Sequence, residues 1–143
     1  MATLTFSTII HATPEKVWEK LWEDKNYRQW TAVFSPGSHA KSDWEEGSRI
    51  EFRGEKEGGM YAVIEQKVPN ESMVFKHLGE IKDGKDVATD WGEAYESYQL
   101  IKTDNDTLLN VTLTMDVPPE IADYFKETFP KALEILKGMA EEG

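Results

Sequence analysis

The sequence has no cysteine among its 143 residues, so disulfide bonds and thiolate metal sites are excluded. No stretch approaches the ~20 consecutive apolar residues that a membrane-spanning helix requires. The N-terminal segment lacks the basic residues and the continuous apolar run of a secretory signal peptide. A chain with these absences is typical of a reducing compartment, and we expect a cytoplasmic protein.

Positive charge is also scarce. The chain has 16 Lys and Arg residues against 27 Asp and Glu residues, a net charge of −11 with histidine neutral. The acidic residues are spread along the sequence, and no Lys/Arg cluster interrupts them. Because such a surface repels phosphate backbones and anionic lipid headgroups, we expect neither a nucleic-acid partner nor a membrane-surface partner.

Signatures of common catalytic and cofactor sites are missing as well. His11, His39 and His77 are far apart in sequence and show no metal-binding spacing. The chain contains no Gly-x-Ser-x-Gly nucleophile turn, Gly-x-Gly-x-x-Gly pattern or Walker pattern. We therefore predict no metal site, no cofactor and no covalent catalysis, and assign no catalytic residue.

Two short helices are predicted after a first strand at residues 3–11. Thr13-Pro14 is an N-cap followed by a proline at the first helical position, a strong helix start. The apolar stripe of this helix consists of Val17, Trp18, Leu21 and Trp22. A second short helix is predicted from Asn26 to Thr31, with Trp30 on its apolar side.

The middle of the chain has the alternating pattern of antiparallel strands. We predict strands at 48–53, 60–68, 91–102 and around Leu109–Met115, and another that contains Met73, Phe75 and His77. Gly54–Gly59 is predicted as a hairpin loop, and the segment around Lys82–Lys85 as a polar loop. In all, about six strands are expected between the short helices and the C-terminal helix.

Pro118-Pro119 ends the strand pattern and begins a long amphipathic helix, expected to start at 118–120 and to end near Ala140. Pro130 lies inside the pattern and is predicted to kink or break the helix near Thr128–Phe129. Because twisted antiparallel strands curl and a long helix has one broad apolar face to bury, the helix should lie in the concave side of the sheet. The expected fold is α+β, a single domain over residues 1–143 in which a curved antiparallel sheet grips the long C-terminal helix.

The residue pattern resembles that of the START-like, SRPBCC helix-grip superfamily, which includes the major pollen allergens and polyketide cyclase-like proteins. Within this superfamily, the motifs of one family, named below, fit best. The opening TPEKVWEKLWEDKNYRQW resembles that family's pattern of Pro, Val-Trp, Leu and a later Trp, and DWEEGSRIEFRG resembles its Asp-x-x-x-Gly turn. AVIEQKVPNESMVFKH, NDTLLNVTL and FPKALEILKGMAEE resemble its later strands and terminal helix. That family is the C-terminal domain of the activator of the ninety-kilodalton heat-shock protein ATPase, and the resemblance covers essentially the whole chain.

Inward-facing aromatic residues make a small-molecule cavity the first functional hypothesis. The predicted ligand-binding residues are Trp30, Ile50, Phe52, Ile64, Phe75, His77, Tyr95, Phe125 and Phe129. His77 together with Glu93, Tyr95 and Glu96 also has the residue types of a general acid–base site.

Three functions stay open from the sequence. The first is binding of a small apolar or aromatic molecule between the sheet and the C-terminal helix. The second, which the resemblance implies, is a co-chaperone-like interaction with a heat-shock protein ATPase. The third is a polyketide cyclase-like enzyme. The sequence also leaves a monomer and a homodimer open.

Overall fold

The computed structural model describes residues 2–54, 58–88, 94–116 and 118–142. Strand β1 (Ala2–Ile10) leads into helices α1 (Pro14–Trp22) and α2 (Asp24–Thr31). Seven strands follow: β2 (His39–Lys41), β3 (Arg49–Arg53), β4 (Gly58–Val68), β5 (Ser72–Lys82), β6 (Lys85–Ala88), β7 (Ala94–Thr103) and β8 (Asp106–Met115). The long helix α3 (Pro119–Glu142) follows the last strand. The α+β helix-grip architecture predicted from the element order is confirmed.

The strands described form one open antiparallel sheet in the order β1-β8-β7-β5-β4-β3-β2, and β6 pairs with β5. One face of the sheet is buried, as the alternation in β8 shows, where every second residue from Thr107 to Met115 is buried. Helix α3 lies against β1, α1 and α2 and buries its apolar stripe. The hydrophobic core therefore lies between the concave sheet face and the three helices.

Helix α1 begins as the sequence indicates. The Thr13 side chain accepts a hydrogen bond from the Lys16 backbone N–H at 3.2 Å, and Pro14 occupies the first turn. Helix α2 starts at Asp24, two residues earlier than predicted, because Glu23 is extended and links the two helices directly. The Asn26 side chain is buried and donates to the Glu19 carbonyl oxygen at 3.3 Å, which ties α2 to α1.

Two strands were not predicted. Strand β2 has only three residues, and β6 lies in the segment interpreted as a polar loop, where all four residues are exposed and give no alternation. The β5–β6 hairpin turns at Asp83-Gly84, both with positive φ, and Asp-Gly is a residue pair that favours such tight turns. The Asp-Gly pair was therefore the feature of the sequence that could have predicted the β5–β6 hairpin.

Pro130 does not break α3, which is continuous from Pro119 to Glu142. The ring is on the exposed side of the helix, while Thr128 and Phe129 before it are buried. Packing of the apolar stripe on both sides of the proline stabilises the helix enough to accommodate the missing backbone donor. No helix in the described ranges is long and apolar enough to cross a membrane.

Candidate functional site

A cavity of about 730 Å³ lies between α2, α3 and the sheet. Aromatic side chains from four elements contribute to its walls: Tyr27 and Trp30 of α2, Phe52 of β3, Tyr98 of β7, and Phe125 and Phe129 of α3. Neighbouring rings pack at steep angles, for example Tyr27 on Trp30 with centroids 5.5 Å apart. The Trp30 indole N–H donates to the Leu21 carbonyl oxygen at 3.0 Å, so this wall is fixed to α1.

Helix α3 divides into two parts at Pro130. The α3 residues that line the cavity, Ile121, Tyr124, Phe125 and Phe129, all precede it. The buried residues after it pack into the core, and they are Ala132, Leu133, Leu136, Met139 and Ala140. The cavity thus lies under the first half of the helix.

A hydrogen-bonded polar cluster lies in the cavity wall. Glu96 and Tyr98 are two residues apart on β7 and project from the same face, while His77 lies on the neighbouring strand β5. The His77 Nε2 atom is 2.9 Å from Glu96 Oε1, and the Tyr98 hydroxyl donates to Glu96 Oε2. The side chains of His77 and Glu96 are 3% and 16% exposed. Both carboxylate oxygens of Glu96 are therefore bonded within the protein.

The same contact orients the histidine ring. Because an ionised carboxylate can only accept hydrogen bonds, His77 Nε2 carries the proton in the contact with Glu96. His77 Nδ1 is buried and has no hydrogen-bond partner among the described residues. The centroid of the His77 ring lies 5.4 Å from the centroid of the Phe52 ring.

Two phenols of the cavity wall resist ionisation. Burial raises the pKa of Tyr98 and Tyr27 well above the usual value, and the negative charge of Glu96 raises both further. Both hydroxyls therefore keep their protons at neutral pH. Tyr98 donates its proton to Glu96, whereas no hydrogen bond is found for the Tyr27 hydroxyl within the described ranges.

Arg53 lies at the rim of the cavity, but its charge is compensated. Its Nε atom donates to Glu51 Oε1 at 2.6 Å. Glu51 in turn contacts Arg49, whose guanidinium forms two hydrogen bonds with Asp86 at 2.7 and 2.8 Å. The rim cation is thus part of a surface charge network that connects β3 with β6.

Five of the nine predicted ligand-binding residues line the cavity: Trp30, Phe52, His77, Phe125 and Phe129. Ile50, Ile64 and Phe75 are fully buried in the core beside it and are not among its described lining residues. Tyr95 lies on the opposite face of β7, where its ring centroid is 5.9 Å from Lys76 Nζ. Glu93 lies outside the described residues.

The prediction missed Tyr27 and Tyr98. Tyr27 is three residues before Trp30 on the same side of α2, a spacing that indicates a shared face. In β7, Tyr95 and Tyr98 lie on opposite faces of the strand. Because both are tyrosines, residue type alone did not show which of them faces the cavity. Burial of Ala94, Tyr98 and Leu100 identifies the inward face. Within the described part of the chain, no three His, Asp or Glu side chains are arranged to hold a metal ion.

Comparison with solved structures supports the fold assignment. The Aha1 dimer from Colwellia psychrerythraea superposes with a TM-score of 0.78 at 22% identity, over 99% of this chain and 97% of that chain. A protein from Mesorhizobium loti gives 0.75 at 18% identity, covering 99% and 98%. CalU16 from Micromonospora echinospora gives 0.70 at 14% identity, covering 96% and 75%. At these identities the likeness establishes a shared fold.

No curated protein matches the sequence significantly. The sequence profile of a family does match it, over residues 11–141, which is nearly the whole chain. The matched region includes α1, α2, the polar cluster of β5 and β7, and α3 to its last turn. The chain therefore belongs to the family described as activator of Hsp90 ATPase homolog 1-like protein.

Proposed function

We propose that this protein binds a small apolar or aromatic molecule in the cavity between the sheet and α3. The observation that carries the proposal is the cavity itself, about 730 Å³ in volume and with eight aromatic side chains among its described lining residues. Small-molecule sites typically measure ~300–1,000 Å³ and combine apolar walls with a few polar groups. His77, Glu96 and Tyr98 supply those polar groups here.

The expected affinity is modest. Burial of ~200 Å² of apolar ligand surface at about 25 cal/mol per Å² contributes roughly 5 kcal/mol. The loss of translational and rotational freedom on association offsets much of this gain. We therefore expect dissociation constants in the micromolar range or weaker for ligands that make only apolar contacts.

Trp30 provides a local probe for the test, because it lines the cavity and only 1% of its surface is exposed. Titration with a library of aromatic and aliphatic compounds should change the tryptophan emission and raise the melting temperature. Trp30→Phe should remove most of the emission change. Trp18→Phe is the matched control, since Trp18 is on α1 and is not among the described lining residues.

The family favours a second candidate function, a co-chaperone-like interaction with a heat-shock protein ATPase. The two candidate functions predict different outcomes when the protein is titrated with the compound library. If no compound changes the emission or the melting temperature, the ligand-binding proposal is wrong. Stimulation of the ATPase activity of a purified ninety-kilodalton heat-shock protein would then be the measurement that supports the second candidate.

A further inference from the structure

Among the described lining residues of the cavity, Glu96 carries the only carboxylate. Its two oxygens accept hydrogen bonds from His77 and from Tyr98, so the side chain is fixed in one position. A carboxylate has about four acceptor positions, and two of them are used by these bonds. With 16% of its side chain exposed, Glu96 can accept a further hydrogen bond from a molecule in the cavity.

The Tyr27 hydroxyl is a second polar group of the cavity wall for which a ligand can provide a hydrogen-bond partner. Tyr27 is 93% buried and lines the cavity, and within the described residues no hydrogen bond is found for its hydroxyl. Glu96 is near enough for its charge to raise the pKa of this phenol. Because this hydroxyl has no protein partner among the described residues, a ligand group can bond to it without displacing a hydrogen bond within the protein.

The charges around the cavity select against anions. The Arg53 cation at the rim is paired with Glu51 at 2.6 Å, and Glu96 places a carboxylate in the cavity wall. The whole chain also has a net charge of −11. A ligand carboxylate would therefore be desolvated next to a fixed negative charge, an arrangement that costs free energy.

We propose that the ligand is an aromatic molecule with a neutral hydroxyl group, which donates a hydrogen bond to Glu96 and accepts one from Tyr27. His77 and Tyr98 are positioning residues that hold the carboxylate. This inference rests on the proposed function, because it specifies the chemistry of a ligand in the same cavity. It predicts that phenolic compounds bind more tightly than apolar or anionic compounds of the same shape.

Three probes of one shape test the proposal on the unaltered protein: naphthalene, 2-naphthol and 2-naphthoate. Isothermal titration calorimetry at neutral pH should show that 2-naphthol binds about tenfold more tightly than naphthalene, and that 2-naphthoate binds more weakly than either. Equal affinities for 2-naphthol and naphthalene, or tightest binding of 2-naphthoate, would overturn this inference alone. Binding of none of the three would also overturn this inference, whereas the proposed function is overturned only if no compound of the wider aromatic and aliphatic library binds.

Variants locate the hydroxyl site. Tyr27→Phe, which removes no hydrogen bond found in the described structure, should weaken 2-naphthol binding about fivefold and leave naphthalene binding unchanged. Tyr98→Phe should reduce the preference for 2-naphthol over naphthalene, a ratio that a merely structural role would not alter. Tyr95→Phe, on the outer face of the same strand, is the matched control and should keep the preference. A preference that is unaffected by Tyr27→Phe would place the hydroxyl elsewhere and overturn the assignment.

Discussion

Leu133 lies on the buried face of α3, and 4% of its surface is exposed. It follows Phe129 by one helical turn and is not among the described lining residues of the cavity, so its side chain fills space in the core. We predict that Leu133→Ala lowers the free energy of unfolding by about 2–5 kcal/mol, because it removes buried methyl groups and leaves a void. Denaturant unfolding measures this change through the transition midpoint.

Ile135 provides the control for Leu133. It lies two residues further along the same helix and is 38% exposed. Ile135→Ala should change the free energy of unfolding by no more than about 0.5 kcal/mol. An unchanged midpoint for Leu133→Ala would contradict the observed orientation of α3 against the sheet.

Tyr27 and Tyr98 should make stability depend on pH in alkaline solution. Burial and the Glu96 charge raise the pKa of both phenols in the folded protein, so the folded state keeps protons that the unfolded state releases near pH ~10. The resulting stabilisation is complete below about pH 10 and is lost as the pH rises towards the folded-state pKa. The denaturant concentration at the unfolding midpoint should therefore decrease as the pH is raised above about 10. Tyr98→Phe should reduce this fall and Tyr95→Phe should not; identical pH profiles for both variants would contradict the prediction.

The three-stranded part of the sheet formed by β4, β5 and β6 depends on a close approach at Gly79. This glycine pairs with Tyr61 on one side and Ala88 on the other. A Cβ atom at this position would overlap the Val87 carbonyl oxygen and lie 2.9 Å from Tyr61 Cε1. We predict that Gly79→Ala destabilises the protein by about 1–3 kcal/mol, because β6 must shift away from β5.

Gly138 gives the opposite expectation. It is an exposed glycine inside α3, and a Cβ atom there would meet no atom within 4 Å. Gly138→Ala should stabilise the protein by about 0.5–1 kcal/mol, because alanine loses less conformational entropy in a helix. The melting temperatures of the two variants, compared with that of the unaltered protein, measure both effects. An unchanged melting temperature for Gly79→Ala would show that β6 shifts without a loss of stability.

The architecture of the whole molecule was predictable because each of its main elements has a strong local signal. Thr13-Pro14 begins α1, and Pro118-Pro119 separates β8 from α3, whose observed start at Pro119 is within the predicted range. The alternation in β8 gives its buried face directly. Strand β6 was missed because exposed strands have no hydrophobic period and depend on pairing with a neighbour.

The cavity was predictable only in part, because sequence pattern gives the face of a residue but not its depth. Phe75 and His77 are two residues apart and share one face of β5. His77 nevertheless lines the cavity, whereas Phe75 is fully buried beside it. The difference depends on where α3 passes over the sheet, which is a property of the tertiary structure. The contact between Glu96 and Tyr98 likewise depends on which face of β7 turns inward.

Pro130 has a consequence for the exchange of backbone amide hydrogens with solvent. Proline has no N–H group, so the Lys126 carbonyl lacks its usual helical partner at the point where α3 passes from the cavity to the core. Amides at 123–129, above the cavity, should exchange through local opening, whereas those at 133–139 should exchange only with opening of the core. Mass spectrometry in deuterated water should find lower protection in the first segment, and a ligand in the cavity should raise it selectively. Equal protection on both sides of Pro130 would mean that the helix opens as one unit.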